Sequence, residues 1–169
     1  ALVSDGVDDT LARGGSVVNT LADKASGAVA AKYRRLGAGS GAAITTQLST
    51  VTTTNARFRL DVQNGRLRFV GRRLDADAQS VFDNAGAGNG GTVDTDYTVI
   101  TQLDYAGTGS LSTRINGAAS ALSGTIASPA NTSNTNSQSA DICGRAGGFF
   151  QGRLGRALFL PFAPSGAQQ

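Results

Sequence analysis

The side chains that most often do chemistry in proteins are scarce in this chain. It contains no histidine, and all twelve of its acidic residues are aspartate. Histidine is the commonest general base, and glycoside hydrolysis uses paired carboxylates, so aspartate alone remains for such roles. The single cysteine, Cys143, excludes an intramolecular disulfide and multi-cysteine metal sites, and its apolar neighbour Ile142 favours a buried thiol. The composition predicts a protein that is not an enzyme, with an Asp-dependent hydrolase as the weaker alternative.

The chain is mildly basic, and its arginines are most simply solvated residues on strand faces, with an anion-binding surface as the alternative. Thirteen arginines and two lysines give a net charge of +3 and a pI near 9.5. Nucleic acid is not the predicted ligand, because the arginines of 57–68 alternate with core residues instead of stacking aromatics. The acidic clusters at 5–9 and 94–96 could offer oxygen ligands to calcium, but both lack the EF-hand spacing and favour turns. We expect no cofactor and leave calcium open.

The glycine- and arginine-rich stretch GGFFQGRLGRALFLP, residues 147–161, allows two interpretations. It lacks the spacing and the terminal Lys-Ser/Thr of a phosphate loop, and the short apolar run that follows ends at Pro161 before a helix could form. As a strand it has one irregularity, which a bulge near Gly155 repairs. We therefore predict a closing strand that pairs with residues 2–4 and buries Phe150, Leu154 and Phe159.

The segment ARFRLDVQNGRLRFVGRR, which starts at Ala56, has the pattern of a β-hairpin. Apolar and charged residues alternate on both sides of Asn64-Gly65, the dipeptide typical of a two-residue type I′ turn. Closing the hairpin there pairs Gln63 with Arg66 and Leu60 with Phe69. One face is then apolar, and the other carries Arg57, Arg59, Asp61, Arg66 and Arg68.

The rest of the chain also favours strands. With no Glu, no Met and only two Lys, the chain lacks most helix formers. A meander is predicted over 96–122, with turns at 105–109 and at Asn116-Gly117. The alanine-rich stretch 22–36 could form a short helix, but a strand over 28–35 is favoured. Weaker strands are predicted at 2–4, 17–21, 44–49, 79–82 and 140–143.

Four segments occur in an order that resembles a known family. They are ALVSDGVDD at residues 1–9, ARFRLDVQNGRLRF at 56–69, YTVITQLDYAGTGSLSTRINGAA at 97–119 and ICGRAGGFFQGRLGRALFLP at 142–161. Together they resemble the laminin-G-like jelly rolls of the concanavalin A-like lectin/glucanase superfamily. The resemblance implies an all-β, two-sheet antiparallel jelly-roll sandwich with the first and last strands paired, in a single domain 1–162 with a tail 163–169.

The resemblance also implies what the domain binds. The glutamates of the glucanase members are absent, so their catalytic machinery is missing. Lectin-type members stack sugars on aromatic rings, and Tyr105 is the best candidate here. The expected ligand is a glycan, with the arginines favouring an acidic polysaccharide. The candidate ligand-binding residues are Tyr105, Asn131, Asn134, Arg59, Arg66 and Arg68.

Two non-catalytic functions remain open on the sequence. The first is a surface recognition or assembly module of a virion, such as a bacteriophage capsid decoration, spike or tail-fibre domain, which the Glu-free composition and the Ser/Thr/Asn/Gly-rich loops favour. The second is a stand-alone or secreted carbohydrate-binding module. The expected partners are glycans or other surface proteins, and homo-oligomers are left open. We expect a virion or extracellular location with no membrane insertion, because no apolar run approaches the roughly 20 residues that span a bilayer.

Overall fold

The protein is described by a computed structural model that covers residues 2–5, 11–13, 26–37, 48–51, 56–63, 66–71, 80–83, 90–104, 109–120, 124–125, 139–142, 144–145 and 148–165. In this part of the chain every regular element is a β-strand. The strands are β1 (Leu2–Asp5), β2 (Leu11–Arg13), β3 (Ser26–Arg35), β4 (Leu48–Val51), β5 (Ala56–Gln63), β6 (Arg66–Gly71), β7 (Ser80–Asp83), β8 (Asp96–Asp104), β9 (Ser110–Ile115), β10 (Ala118–Ala119), β11 (Ser139–Ile142), β12 (Gly144–Arg145), β13 (Gly148–Phe149) and β14 (Gln151–Leu160).

Two six-stranded antiparallel sheets form the fold. Sheet A has the order β1-β14-β3-β8-β9-β10, and sheet B has the order β2-β11-β4-β5-β6-β7, while β12 and β13 pair separately. The first and last strands are neighbours, with Leu2 opposite Leu154 and Asp5 opposite Gln151. The predicted all-β jelly-roll sandwich with paired first and last strands is therefore confirmed.

The core lies between the two sheets because the central strands direct one set of alternate residues to the same face. On β3 and β8 the odd-numbered residues face the core, among them Val29, Tyr33 and Val99. Sheet B contributes Leu60, Val62, Leu67 and Phe69, all of them buried. Within the core, the hydroxyls of Thr101 and Thr113 on adjacent strands lie 3.0 Å apart and satisfy each other.

The predicted hairpin has the predicted register. Gln63 lies opposite Arg66 and Leu60 opposite Phe69, while the turn residues Asn64 and Gly65 fall outside the described residues. The second Asn-Gly turn is described: Asn116 and Gly117 have φ values of 51° and 83°, as a type I′ turn requires. Both hairpins therefore follow from local turn chemistry combined with alternation.

The closing strand β14 contains the predicted bulge. Leu154 lies opposite Tyr33 and Arg156 opposite Lys32, so Gly155 is the extra residue in the pairing with β3. Phe150 and Leu154 are buried as predicted. Phe159 differs from the prediction: it is only half-buried, because it packs against the margin of the core cluster rather than within it.

Other predictions agree in kind and differ in their bounds. The alanine-rich stretch forms strand β3 rather than a helix, because its odd residues meet the core with period two. The predicted strand at 17–21 lies outside the described residues, as does Cys143. The described part of the chain contains no helix that is long and apolar enough to cross a membrane.

Candidate functional site

The outer face of sheet A, which points away from sheet B, carries a groove of about 560 Å³. This volume lies within the range of about 300–1,000 Å³ that is usual for ligand sites. The groove lies over β14, β3 and β8, the strands at the middle of the sheet. It is built from two neighbouring rows of side chains, each running across these three strands.

The first row is apolar and the second is cationic. The apolar row consists of Leu158, Ala30 and Ile100, which are successive cross-strand partners, and Leu158 is 45% exposed. The cationic row consists of Arg156, Lys32 and Thr98, which are partners in the same way, and all three are exposed. Since rows two residues apart on a strand are separated by about 6.6 Å, one ligand can contact both.

The bulge at Gly155 determines which arginines reach this face. In a regular strand, residues three apart point to opposite faces of a sheet. The extra residue brings Arg156 opposite Lys32, while Arg153 lies opposite Arg34, so both arginines of β14 are on the outer face. Without the bulge, one of the two would point into the core.

Arg156 and Lys32 form a like-charged pair at a directly opposite position, an arrangement that destabilises a sheet. Neither side chain forms an ion pair with a described residue. Arg34, in contrast, binds two carboxylates, with its Nε 3.3 Å from Asp94 Oδ1 and its Nη1 3.7 Å from Asp96 Oδ2. An anion bound at the cationic row would relieve the repulsion between Arg156 and Lys32.

Thr98 is held in place by the adjacent turn. Its backbone N–H donates to Asn116 Oδ1 at 2.8 Å, and its carbonyl accepts from the Asn116 backbone N–H at 2.8 Å. Asn116 adopts the left-handed conformation, which asparagine tolerates better than most residues. The turn therefore fixes the polar end of the cationic row.

The loop that begins at Gly90 is tied to the end of β3. The Tyr33 hydroxyl donates to the Gly90 carbonyl at 2.7 Å, and Arg35 Nη1 donates to the Gly91 carbonyl at 2.6 Å, both in buried surroundings. Burial is the main cause that raises the pKa of Tyr33 far above its usual value, with Tyr97 adding to it. Burial also lowers the pKa of Arg35, and nearby Tyr33 opposes that shift. These contacts stabilise the rim between the sheets.

Asp94, which lies in the same loop, has a structural role. Arg34 Nη2 also donates to the Asp94 carbonyl oxygen at 2.9 Å, so Arg34 holds both the side chain and the backbone of Asp94. Asp94 needs this support because its φ of 63° is unusual for a residue with a side chain. Among the described residues, no group of three or more His, Cys, Asp or Glu could hold a metal ion.

The ligand-binding residues predicted from the sequence lie elsewhere. Tyr105, Asn131 and Asn134 fall outside the described residues. Arg66, exposed, and Arg68, half-buried, lie in β6. Arg59 lies in β5, opposite Val70 of β6. Arg66 and Arg68 thus lie in sheet B, away from the groove on sheet A, and the ligand-binding residues named from the sequence remain a prediction.

The residues of the groove were missed by the sequence reasoning, although a signal for them exists. Lys32 and Arg34 are two apart in a strand, and Arg153 and Arg156 flank the glycine at which a bulge is predicted. Combining the bulge with the alternation would have placed Arg153 and Arg156 on one face of their strand, as Lys32 and Arg34 are on one face of theirs. Which strands are neighbours was the missing information, because β3 and β14 are about 120 residues apart in the chain.

No protein-family model matches the sequence, and a comparison with curated proteins also gives no match. Solved structures do match. The CBM40 domain of the Ruminococcus gnavus IT-sialidase, bound to alpha2,3 sialyllactose, has a TM-score of 0.66 at 17% identity, with 93% of this chain and 95% of that chain covered. A native heptameric SAP-like pentraxin from Limulus polyphemus has a TM-score of 0.61 at 14% identity, with coverages of 98% and 76%.

A third match is to part of a larger protein. The NanB sialidase from Streptococcus pneumoniae has a TM-score of 0.65 at 14% identity, and the match covers 96% of this chain but only 26% of the sialidase. At such identities the comparisons show a shared fold, a jelly roll of the lectin-like kind. Function has to be argued from the groove.

Proposed function

We propose that this protein is a non-catalytic glycan-binding module that binds an anionic sugar in the groove on the outer face of sheet A. The observation that carries the proposal is the cross-strand pair Arg156 and Lys32, two exposed cations without a described carboxylate partner. Two cations held this way form a site for one carboxylate or sulfate group. The apolar row beside them suits the non-polar face of a sugar ring.

The solved structures support a sugar as the ligand that carries the anionic group. Two of the matching CBM40 structures contain sialyllactose, whose sialic acid carries a carboxylate. A carboxylated sugar is therefore the ligand class we propose, with the carboxylate at Arg156 and Lys32 and the ring against Leu158. Thr98 and Ile100 complete the contact on the β8 side.

The proposal that the module is not an enzyme rests on the chemistry of its side chains. Histidine and glutamate are missing from the sequence, and Asp94 and Asp96 bind Arg34. The groove itself is lined by cations, a hydroxyl and aliphatic groups, and no carboxylate is among the described residues that line it. Incubation with sialylated and uronic acid-containing oligosaccharides should leave them intact.

The sharpest test measures binding in charge variants of both faces. Wild-type protein should bind carboxylated glycans on an array and bind 3′-sialyllactose or a glucuronic acid-containing oligosaccharide in calorimetry. Arg156→Gln and Lys32→Gln should each weaken that binding about tenfold or more, since a lost charge-assisted contact is worth about 1.5–3 kcal/mol. Arg66→Gln examines the surface predicted from the sequence.

The variants separate the two faces. If Arg66→Gln abolishes binding while Arg156→Gln leaves it unchanged, the site lies on sheet B and the groove is not the site. If no anionic glycan binds wild-type protein at millimolar concentration, the glycan-binding function itself is wrong. Unfolding curves for each variant establish that the changes do not act through misfolding.

For the wider setting, we propose an extracellular surface, with a virion spike or decoration domain of a bacteriophage as the specific case. The Glu-free, Arg-rich composition and the order of the laminin-G-like segments support it. A monomeric chain at high concentration that no particle carries would argue for the stand-alone module instead.

A further inference from the structure

The groove on sheet A is bounded at one end by the chain after β14. Ala28 is an even-numbered residue of β3 and therefore belongs to the outer face of sheet A. It is nevertheless fully buried, although it is not part of the core cluster. Residues 161–165, which we call the strap, are hydrogen-bonded to residues on either side of Ala28. The Ala163 backbone N–H donates to Ser26 Oγ at 3.3 Å, and Gln102 Nε2 donates to the Pro164 carbonyl at 2.5 Å. Since Gln102 lies on β8, opposite Ala28, the strap crosses β3 and closes this end.

At the opposite end of the groove, along the direction of the strands, lies a cluster of charged residues formed by Arg34, Asp94 and Asp96. Arg34 follows Lys32 by two residues on the outer face of β3, and it is held by Asp94 and Asp96. Both carboxylates are well exposed, with 73% and 67% of their side-chain surface accessible. A second anionic unit placed over β8 at this end would meet those carboxylates and be repelled.

Charge is also distributed unevenly across the strands. The β14 and β3 side carries Arg156, Lys32 and Arg153, all exposed cations. The β8 side offers Thr98 and Ile100, neutral groups that suit an uncharged sugar. The anionic end of a ligand is therefore expected over β14 and β3, with any further unit leading away towards β8.

Between the strap and the Arg34 cluster, the line of cross-strand partners that contains the apolar row continues beyond the groove to a cation and then to a small residue. Ile100 lies opposite Arg114 on β9, and Arg114 lies opposite Ala119 on the edge strand β10. Arg114 Nη1 donates to the Gly117 carbonyl at 3.0 Å, so the side chain is directed along its own hairpin. Ala119 is exposed and small, and among the described strands none pairs with β10 on its outer side.

We propose that the groove binds an oligosaccharide that lies across the strands, with its anionic unit over β14 and β3 and a neutral second unit over Ile100 and Arg114. The chain then leaves the protein over Ala119. This inference rests on the proposed function, and it adds the direction of the ligand and a second subsite. From β14 to β10 the path crosses four strand spacings, about 19 Å, which accommodates two or three sugar units.

Obstructing the open edge tests the second subsite. Methyl α-sialoside carries the anionic unit alone, and 3′-sialyllactose carries two further neutral units. The informative substitution is Ala119→Ile, which adds bulk on the outer face beside Arg114 without adding charge. Ala118→Ile is the matched control, because Ala118 lies opposite Ile115 and so points to the other face of the same edge strand.

Calorimetry with both probes distinguishes a failure of the second subsite from a failure of the proposed function. We expect wild-type protein to bind the trisaccharide about tenfold more tightly than the monosaccharide, and Ala119→Ile to remove that advantage while leaving the monosaccharide unchanged. Ala118→Ile should change neither. Equal affinity of the two probes for wild-type protein, or equal weakening by both substitutions, would overturn the second subsite alone. Failure of both probes to bind wild-type protein would overturn the proposed function, and the subsite with it.

Discussion

Replacing Arg156 by glutamine should stabilise the ligand-free protein slightly while it weakens anion binding. Arg156 and Lys32 lie directly opposite each other on β14 and β3, and both are exposed. Two unit charges about 7 Å apart in water repel each other by about 0.6 kcal/mol. With a Debye length of about 8 Å at physiological ionic strength, roughly 0.3 kcal/mol of this remains, against about 0.5 kcal/mol at 0.01 M salt. The gain in the free energy of unfolding should therefore depend on salt.

Thermal unfolding followed by circular dichroism measures the effect. At 0.01 M salt, Arg156→Gln should raise Tm by about 1–2 °C, and at 1 M salt the difference should disappear. Lys32→Gln should give a similar gain. The double variant should gain clearly less than the sum of the two, because either substitution alone removes the same repulsion. Additive gains, or a loss of stability that does not depend on salt, would refute the reasoning.

Two further predictions concern the strands that carry the groove. Gly152→Ala should lower the free energy of unfolding by about 1–3 kcal/mol, because its Cβ would overlap the Arg34 carbonyl oxygen and the Phe150 ring. Gly155→Ala is the control, because its new Cβ would lie 3.5 Å from the Lys32 carbonyl oxygen, which is an ordinary contact. Urea unfolding of this variant should show little change in the free energy of unfolding. Equal losses of stability in the two variants would contradict the packing described for Gly152. Tyr33→Phe should cost about 1–3 kcal/mol because it removes the buried hydrogen bond to the Gly90 carbonyl. Because folding raises the pKa of Tyr33, the free energy of unfolding of the wild-type protein should fall as the pH rises above about 10. Tyr33→Phe should show a shallower fall. Equal pH dependence of the two free energies of unfolding would mean that folding does not hinder the ionisation of Tyr33.

Local features of the structure were accessible from the sequence because neighbouring residues determine them. The Asn116-Gly117 turn requires positive φ angles, and the pairing of Gln63 with Arg66 follows from turn length and alternation. The bulge at Gly155 was visible as a change of parity between Leu154 and Ala157. The half-burial of Phe159 was not visible, since alternation indicates which face of a strand is apolar but not how far the core extends along that strand.

The groove depended on contacts that no local pattern contains. Lys32 and Arg156 are remote in the chain, and only the pairing of β3 with β14 makes them opposite neighbours. The strap is a similar case: its hydrogen bonds to Gln102 and Ser26 require these two residues to be brought together by β3 and β8. For this reason the arginines of the hairpin, which are close in sequence, were chosen as the candidate site instead.

The amino-acid sequence by itself determined the fold class, the hairpins, the bulge and the shortage of catalytic side chains. Composition and short-range alternation are enough for these, because turn geometry and the two faces of a strand act over a few residues. Only the tertiary structure decided which charges meet across strands and which of them find carboxylates. It left Arg34 balanced by Asp94 and Asp96 and placed Arg156 beside Lys32. Because electrostatic energy depends on distance in space and not on separation along the chain, that difference appears only in the folded protein.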